Sequence, residues 1–417
     1  MTFGGNREAW RLGAVAISLV VVAAACSSGG SVATTSITPA PLQSATTTTT
    51  STLTTSTTTS TSIPTTTIPP TTTTNLVPND GLTAAERMLT KVATITGSIS
   101  PKSVVASQTG LFFAQNMMYR HTITVYDRSY QLVETITDTV VLADFGHDDY
   151  EGEYRGSPVE AAFTSDSAYV YVSNYRMYGG GLSTAASDGC NAGSWPDSFV
   201  YRIDTTVLQI DQIIKVGPVP KFLAVTPDDL YLLVSNWCGF DVSIIDIALG
   251  EEIARIPVGR HPRGIAVDLD SANAYIAVMG SRDIAVLNLE DFSVSTIENV
   301  GRSPRHLVLS PDGEFLYVSL NGDAKLAKIE VATGDVLAHV ATGAAPRSMT
   351  ISDDGTALYV VNYNSSTMSK VRASDMVETE EHATWSKPIG ITYDADTREV
   401  WVSSYSGAIQ VFADLAP

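Results

Sequence analysis

Prolines recur at a constant interval of 42 residues along the C-terminal half of the chain. This set consists of Pro220, Pro262, Pro304, Pro346 and Pro388. An apolar run follows each proline, then a polar turn such as residues 310–313, then a second run rich in β-branched and aromatic residues. Two further short apolar runs complete a typical repeat. Four short strands in about 40 residues are typical of one blade of a β-propeller.

Two longer repeats precede this set and begin at Pro101 and Pro158, so the chain has seven repeat starts. The repeat after Pro388 lacks about 12 residues, which correspond to its fourth strand. A segment at about residues 89–97 resembles the fourth strand of the other repeats. The pattern therefore predicts an all-β, seven-bladed β-propeller over residues 80–417, built from four-stranded blades. The N-terminal strand is expected to complete the last blade and to remove the free sheet edges.

The repeats resemble those of YVTN-repeat β-propellers. This resemblance rests on Tyr-Val-Ser-Asn at 171–174, Val-Ser-Asn at 234–236 and Gly-x-x-Pro-Arg-Gly-Ile at 259–265. It extends over about residues 88–417, and it implies the propeller fold without implying a single activity. Similar propellers include surface-layer and adhesion modules, lactonases, lyases and quinoprotein dehydrogenase chains.

Residues 1–25 have the pattern of an export signal. Arg7 and Arg11 precede an uncharged apolar run that is shorter than the about 20 residues needed to cross a membrane as a helix. Small residues at 23–25 precede Cys26, which resembles a bacterial lipobox, where the cysteine is lipidated and becomes the N-terminus. The alternative is an ordinary secretory signal that leaves Cys26 as a free thiol. We expect a lipoprotein on the outer face of a bacterial cell membrane, anchored through its acyl chains.

Residues 26–79 are expected to form a disordered linker. Between residues 31 and 74, 29 of the 44 positions are Ser or Thr, and no charged residue occurs between Cys26 and Asp80. Such a segment has too little apolar area to offset the entropy lost on ordering. We interpret it as a spacer between the membrane and the propeller.

The charge of the chain argues against one class of function. It contains 44 acidic and 25 basic residues, which gives a formal net charge of −19. A general nucleic-acid binder needs a basic surface instead, so no nucleic-acid partner is expected. The sequence also lacks a Gly-x-Ser-x-Gly elbow, a His-Glu-x-x-His motif, a Cys-x-x-Cys motif and a phosphate-binding glycine loop.

The two longer repeats carry their extra residues in loops that share one face of a propeller, at about 142–156 and 175–198. Long loops on a rigid scaffold commonly carry binding functions. Cys190 lies in the second insertion, and Cys238 lies in the equivalent loop of the next blade. In an oxidising compartment we expect these two cysteines to form a disulfide bond. A pair of free thiols or a metal-binding pair is the alternative.

The first insertion contains five carboxylates and a histidine in close succession, and four of these six residues are candidate metal ligands. These residues are Asp144, His147, Asp148 and Asp149. Their side chains suit a hard or borderline cation, so one hypothesis is a divalent metal site and the other is a solvated acidic loop.

Four histidines map to the loop-bearing face of the predicted propeller. They are His121, His147, His261 and His306. Imidazoles gathered there would supply acid–base groups or metal ligands. Ordinary hydrogen bonding within the loops is the alternative.

The residue after the blade-start proline is basic in five of the seven repeats. These five are Lys102, Lys221, Arg263, Arg305 and Arg347. Because the first strand is innermost, we expect them to surround the mouth of the central channel, where they would orient a carboxylate or a phosphate. The alternative is that each side chain braces a neighbouring blade. Six loop residues are expected to wall a pocket over that mouth: Tyr175, Met177, Tyr178, Trp195, Trp237 and Met279.

Together these features favour a membrane-anchored, extracytoplasmic binding protein that recognises a protein, a glycan or a small anionic ligand on the loop-bearing face. The alternative is an extracytoplasmic enzyme that uses the same face. It would be a lyase or lactonase with a divalent metal, or a redox enzyme with a quinone cofactor. We expect a monomer, and the sequence alone identifies neither the ligand nor a cofactor.

Overall fold

The computed structural model describes residues 80–182, 188–190 and 195–417. Its strands form seven four-stranded antiparallel sheets arranged in a ring, which confirms the predicted seven-bladed β-propeller. The predicted signal peptide, Cys26 and the linker up to residue 79 lie outside the described residues. No helix in the described part of the chain is long and apolar enough to cross a membrane.

The first strand, β1 (Met88–Thr96), follows a short 3-10 helix (Ala84–Glu86) and belongs to the last blade. Blade 1 contains β2 (Ser103–Ala106), β3 (Leu111–Asn116), β4 (Thr122–Asp127) and β5 (Leu132–Thr137). The first insertion contains β6 (Thr139–Val141), a 3-10 helix (Leu142–Phe145) and β7 (Glu153–Arg155). Blade 2 contains β8 (Pro158–Phe163), β9 (Tyr169–Asn174), β10 (Ser198–Asp204) and β11 (Gln209–Val216).

The remaining blades follow at the regular spacing. Blade 3 contains β12 (Pro220–Val225), β13 (Tyr231–Asn236), β14 (Asp241–Asp246) and β15 (Glu251–Pro257). Blade 4 contains β16 (Pro262–Val267), β17 (Asn273–Val278), β18 (Ile284–Asn288) and β19 (Val294–Ile297). Blade 5 contains β20 (Pro304–Leu309), β21 (Phe315–Leu320), β22 (Lys325–Glu330) and β23 (Val336–Ala341).

Blade 6 contains β24 (Pro346–Ile351), β25 (Ala357–Asn362), β26 (Thr367–Arg372) and β27 (Val377–Ala383). Blade 7 contains β28 (Pro388–Asp394), β29 (Glu399–Ser404) and β30 (Ala408–Leu415), and β1 is its fourth strand. β1 pairs antiparallel with β30 from Met88 opposite Leu415 to Thr96 opposite Ala408. The prediction that an N-terminal strand completes the last blade is therefore confirmed.

The hydrophobic core lies between neighbouring blades. Each second strand is almost fully buried, whereas outer strands such as β27 alternate between exposed and partly buried positions. Trp401 of blade 7 is fully buried and stacks on Phe112 of blade 1, with 3.8 Å between the ring centres. Because both faces of an inner strand meet other blades, near-continuous apolar runs form these strands.

The innermost strands approach one another closely around the axis. A Cβ atom at Gly264 would lie 2.8 Å from the Cα atom of His306 in the next blade, so only glycine fits at this point. This close packing of first strands places the residues at their beginnings around a common centre.

Candidate functional site

A β-bulge interrupts the innermost strand of six blades directly after its first proline. In blade 3, Pro220 lies opposite Asn236 and Phe222 lies opposite Ser235, so Lys221 is the extra residue. Equivalent register shifts occur at Pro158, Pro262, Pro304, Pro346 and Pro388. A bulge changes the direction of the extra side chain and is common beside active sites. The residue after each proline is therefore turned out of the regular sheet pattern.

The five basic residues that follow the blade-start prolines form one cluster, which we name the cationic ring: Lys102, Lys221, Arg263, Arg305 and Arg347. The first four are at most 8% exposed, and Arg347 is half-buried. Arg263 donates a hydrogen bond to the backbone carbonyl of Lys221 in the preceding blade, as the bracing alternative predicts. The Lys221 ammonium lies 2.6 Å from a carboxylate oxygen of Asp188.

Two donors of the cationic ring lack a partner. Within the described residues, neither Nζ of Lys102 nor Nε of Arg347 has a hydrogen-bond acceptor, and both atoms are buried. Buried polar groups in folded proteins are almost always paired. Within the described residues, these two donors are free to pair with a water molecule or with a bound acceptor.

Burial and mutual repulsion affect the ionisation of the cationic ring. Burial lowers the pKa of both Lys102 and Arg305 well below their usual values, and neighbouring cations add to the effect. Burial also lowers the pKa of Lys221 to about 8, although the Asp188 carboxylate acts in the opposite direction. The carboxyl groups of Glu160 and Asp188 lie close enough to interact with the ring. Positive groups outnumber negative groups here, so a bound anion would relieve the repulsion.

A second set of side chains surrounds the cationic ring, and we name it the mouth collar. Each member directly follows the second strand of its blade: Tyr175, Trp237, Met279, Asn321, Tyr363 and Tyr405. The backbone N–H of each donates to the carbonyl of the residue before the blade-start proline, at 2.8–3.1 Å. This shared hydrogen bond fixes all six residues at equivalent places around the channel.

The mouth collar contacts the cationic ring directly. The guanidinium carbon of Arg347 lies 3.6 Å from the centre of the Tyr363 ring, and Nζ of Lys221 lies 4.4 Å from that of Tyr175. Both distances are within the range of a cation–π interaction. Burial raises the pKa of Tyr405 to about 12 against the opposing effect of the nearby arginines. The site therefore combines positive charge with flat aromatic surfaces.

The second insertion delivers a carboxylate to this site. A disulfide bond joins Cys190 to Cys238, as expected. Two residues before Cys190, Asp188 accepts a hydrogen bond from the Tyr175 hydroxyl at 3.1 Å, and its carbonyl accepts one from Trp237 Nε1 at 3.0 Å. Partial burial acts to raise the pKa of Asp188, but the Lys221 ammonium outweighs it and holds that pKa at about 2.

Several members of the site were not predicted from the sequence. Tyr363 and Tyr405 continue the 42-residue spacing that begins at Trp237, so the repeat itself carried their signal. Glu160 follows the non-basic residue Val159 and is buried beside Lys102. Nothing in the sequence pattern indicated that Asp188 would reach Lys221.

The structure does not bring the four proposed metal ligands together. Within residues 80–182, 188–190 and 195–417, no group of three or more His, Cys, Asp or Glu side chains is placed to hold a metal ion. His147 Nε2 instead lies 3.0 Å from the backbone carbonyl of Ile213 in the outermost strand of blade 2. Asp144, Asp148 and Asp149 are exposed in the same loop. The geometry therefore favours the solvated acidic loop over the divalent metal site.

The four histidines of the loop-bearing face also have separate environments. His306 is buried near Arg263 and Arg305, and burial lowers its pKa to about 3, so its imidazole is neutral at pH 7. His261 stacks on Trp237 with 4.3 Å between the ring centres. His121 Nδ1 lies 2.8 Å from the carbonyl of Gly156. These contacts correspond to the ordinary hydrogen-bonding alternative, and they do not form a shared acid–base centre.

Tyr178 and Met177 lie away from the cationic ring, contrary to the predicted pocket wall. Tyr178 packs on Arg176 and pairs through its backbone with Arg155, which links the second insertion to the first. Met177 belongs to a buried cluster that includes Tyr154 of the first insertion. The other proposed wall residues do gather near the mouth, where Tyr175, Trp195, Trp237 and Met279 pack around the disulfide.

Comparisons with known proteins support the fold and give one indication of function. Residues 292–376 match the family model described as Lactonase, 7-bladed beta-propeller. Among solved structures, a chain titled Kuenenia stuttgartiensis Hydrazine Synthase is similar, with a TM-score of 0.60 and 17% sequence identity. The alignment covers 78% of this chain and 98% of that chain, and at this identity it shows the fold alone. The comparison with curated proteins found no match.

Proposed function

We propose that the protein is an extracytoplasmic binding protein that holds a small dianion in the cationic ring. The observation that carries this proposal is a pair of buried donors that have no partner in the part of the chain that the structure describes: Nζ of Lys102 and Nε of Arg347. Arginine is well suited to such a site because its planar guanidinium binds carboxylate and phosphate oxygens in pairs.

The charge of the site favours a dianion over a monoanion. Lys221, Arg263, Arg305 and Arg347 contribute positive charge, while Asp188 and Glu160 contribute carboxyl groups. Burial lowers the pKa of Lys102 well below its usual value, so we leave this amine out of the count. At least two positive charges therefore remain uncompensated, which matches a hydrogen phosphate or a small dicarboxylate.

The proposal includes the location of the protein and the class of its repeats. The lipobox-like Ala23-Ala24-Ala25-Cys26 sequence supports membrane anchoring, and the Tyr-Val-Ser-Asn motif at 171–174 supports assignment to YVTN-type repeats. The disulfide between Cys190 and Cys238 supports an oxidising compartment, where such bonds persist.

Titration calorimetry with succinate and with inorganic phosphate, at roughly 0.15 M salt, tests the binding site. We expect Arg305→Gln to weaken binding by roughly 10- to 100-fold, because a hydrogen bond to a charged group contributes about 1.5–3 kcal/mol. Arg302→Gln is the matched control, since this neighbouring arginine is 62% exposed and pairs with Asp323. Absence of binding to both anions, or equal binding by the Arg305→Gln variant, would contradict the proposal.

Replacing Asp188 by asparagine should strengthen dianion binding by up to about tenfold, which corresponds to about 1.4 kcal/mol. The Asp188 carboxylate now neutralises Lys221, so its removal leaves one more cation for the ligand. The same calorimetric titration measures the effect. Asp197→Asn serves as the control, because Asp197 pairs with Arg255 in the next blade and not with the cationic ring. Weaker binding by Asp188→Asn would show that the carboxylate supports the site instead of competing with the ligand.

Hydrolysis of an anionic lactone is a second candidate function, favoured by the family match over residues 292–376, which include Arg305 and Arg347. Ring opening by water develops negative charge on oxygen and yields a carboxylate, and preorganised cations stabilise both. The test is base consumption at constant pH with a lactone that carries a carboxylate group. A rate equal to that of the Arg305→Gln variant would exclude this candidate.

A further inference from the structure

Lys102 differs from the other buried lysines of the protein. Its side chain is 4% exposed, and its Nζ has no hydrogen-bond partner among the described residues. By contrast, Lys221 pairs with Asp188, Lys370 pairs with Asp414, and Lys328 donates to the carbonyl of Ala373. An ammonium ion without a partner is costly to bury. The environment of Lys102 therefore favours the neutral amine.

The neighbours of Lys102 reinforce this preference. Burial is the largest cause of its lowered pKa, and the cations Arg263, Arg305 and Lys221 lower it further. Glu160 acts in the opposite direction but does not offset these effects. A lysine that is desolvated beside other cations is deprotonated more readily than an exposed lysine, and its free amine is a nucleophile. The same cations attract anions to the point where this nucleophile lies.

We propose that Lys102 forms a reversible imine with the carbonyl carbon of a small anionic aldehyde or keto acid held by the cationic ring. The Nζ lone pair forms a bond to the carbonyl carbon, and proton transfer gives a carbinolamine. This intermediate then loses its hydroxyl group together with the remaining Nζ proton as water, which leaves a C=N bond. The step needs no oxidant or reductant. It rests on the proposed anion site, which orients the carboxylate or phosphate end of the molecule.

Glu160 is placed to move the proton in this reaction. It lies on β8, the innermost strand next to β2, and Ser103 Oγ links these strands through a 2.8 Å hydrogen bond to the carbonyl of Val159. Burial raises the pKa of Glu160, while Lys102 and Arg263 act to lower it. A carboxyl group with a raised pKa keeps its proton to a higher pH than an exposed one, so that a proton is available for a leaving hydroxyl. Glu160 is thus the expected acid for dehydration of the carbinolamine.

The test is reductive trapping with glyoxylate and cyanoborohydride, followed by peptide mass spectrometry. Cyanoborohydride converts an imine into a stable secondary amine, so the labelled lysine is identified directly. The chain has eight lysines, and the exposed residues Lys91 and Lys387 give the rate of an ordinary amine. We expect Lys102 to be labelled at least tenfold faster than either at pH 7. Equal or slower labelling of Lys102 would overturn the proposal.

Three variants separate the imine from the anion site. Lys102→Met should lose the rapid label, whereas Arg305→Gln should slow labelling by glyoxylate more than labelling by the neutral aldehyde acetaldehyde. Glu160→Gln should slow labelling and change its pH profile. If Lys102 reacts rapidly with both aldehydes and succinate does not compete, the result supports imine formation and excludes the anion site. If succinate binds but glyoxylate leaves Lys102 unlabelled, the result supports the anion site and excludes imine formation at Lys102.

Discussion

Replacing Lys370 by methionine should lower the free energy of unfolding by about 3–5 kcal/mol, because it leaves a buried carboxylate without its partner. Lys370 lies in β26 of blade 6, and its side chain is 1% exposed. Its Nζ lies 2.6 Å from Asp414 of β30 and donates to the carbonyl of Arg87 at 2.8 Å, directly before β1. One ammonium therefore joins blade 6 to both strands that close the ring.

Two further hydrogen bonds join blade 6 to β1 and β30 beside Lys370. The Tyr359 hydroxyl donates to the second oxygen of Asp414 at 2.6 Å, and Glu380 accepts a hydrogen bond from the backbone of Leu89 at 3.1 Å. Burial raises the pKa of Asp414, while Lys370 and Tyr359 act to lower it. Without the ammonium, the fully buried Asp414 side chain must take up a proton or admit water, and either change costs stability.

Chemical unfolding monitored by tryptophan fluorescence measures this effect. Lys91→Met is the matched control, because Lys91 is exposed on the closing strand itself, and we expect its stability to stay within about 0.5 kcal/mol of the original protein. The double variant Lys370→Met with Asp414→Leu should recover part of the loss, since an apolar pair can replace a buried ion pair. A single Lys370→Met variant that unfolds at the same denaturant concentration as the original protein would refute the argument.

The repeat made the fold predictable, and the reason is visible at single residues. Each regularly spaced proline begins an innermost strand, such as Pro304 in β20, because proline fixes the backbone and needs no ladder donor at a strand start. The 12 residues missing after Pro388 predicted β1, since a four-stranded blade would otherwise stay incomplete. Because each repeat of the sequence forms one blade, the spacing of the prolines predicts where each blade begins.

The site was predictable only where it followed the repeat. The residues of the cationic ring and of the mouth collar recur at equivalent positions of the repeat, although Tyr363 and Tyr405 were overlooked. Asp188 lies outside these positions, because its place depends on the path of an insertion and on the disulfide bond of Cys190. The acidic loop shows the opposite case, since neighbours in sequence such as His147 and Asp148 need not converge on one point. In that loop the imidazole of His147 turns to a backbone carbonyl of blade 2.

A second substitution should raise stability in a way that depends on pH. Asp138→Asn is expected to stabilise the protein by about 3 kcal/mol well above pH 6 and to have little effect near pH 4. The Asp138 side chain is fully buried, and neither of its oxygens accepts a hydrogen bond from the described residues. Burial raises its pKa from 3.8 to about 6, against a smaller opposing effect of His121.

The direction of the pH dependence follows from the two states of Asp138. Well below pH 4 the carboxyl group is protonated in both the folded and the unfolded chain, so its ionisation costs the folded state nothing. As the pH rises from about 4 to about 6, the unfolded chain releases the proton first, and the folded state loses stability relative to it. Well above pH 6 the loss is complete. Asparagine has no proton to release, so the variant escapes this loss.

Unfolding curves of the original protein and the Asp138→Asn variant at pH 4, 5, 6 and 7.5 measure the difference. Other titrating groups are common to both proteins, so their contributions cancel in that difference. Asp149→Asn, in the exposed part of the first insertion, should show no such trend. His121 Nδ1 lies 3.5 Å from Asp138 and 2.8 Å from the Gly156 carbonyl, which competes for the same proton. If Asp138→Asn instead destabilises the protein at every pH, Asp138 acts as the counterion of a charged His121, and its burial is compensated by that pair.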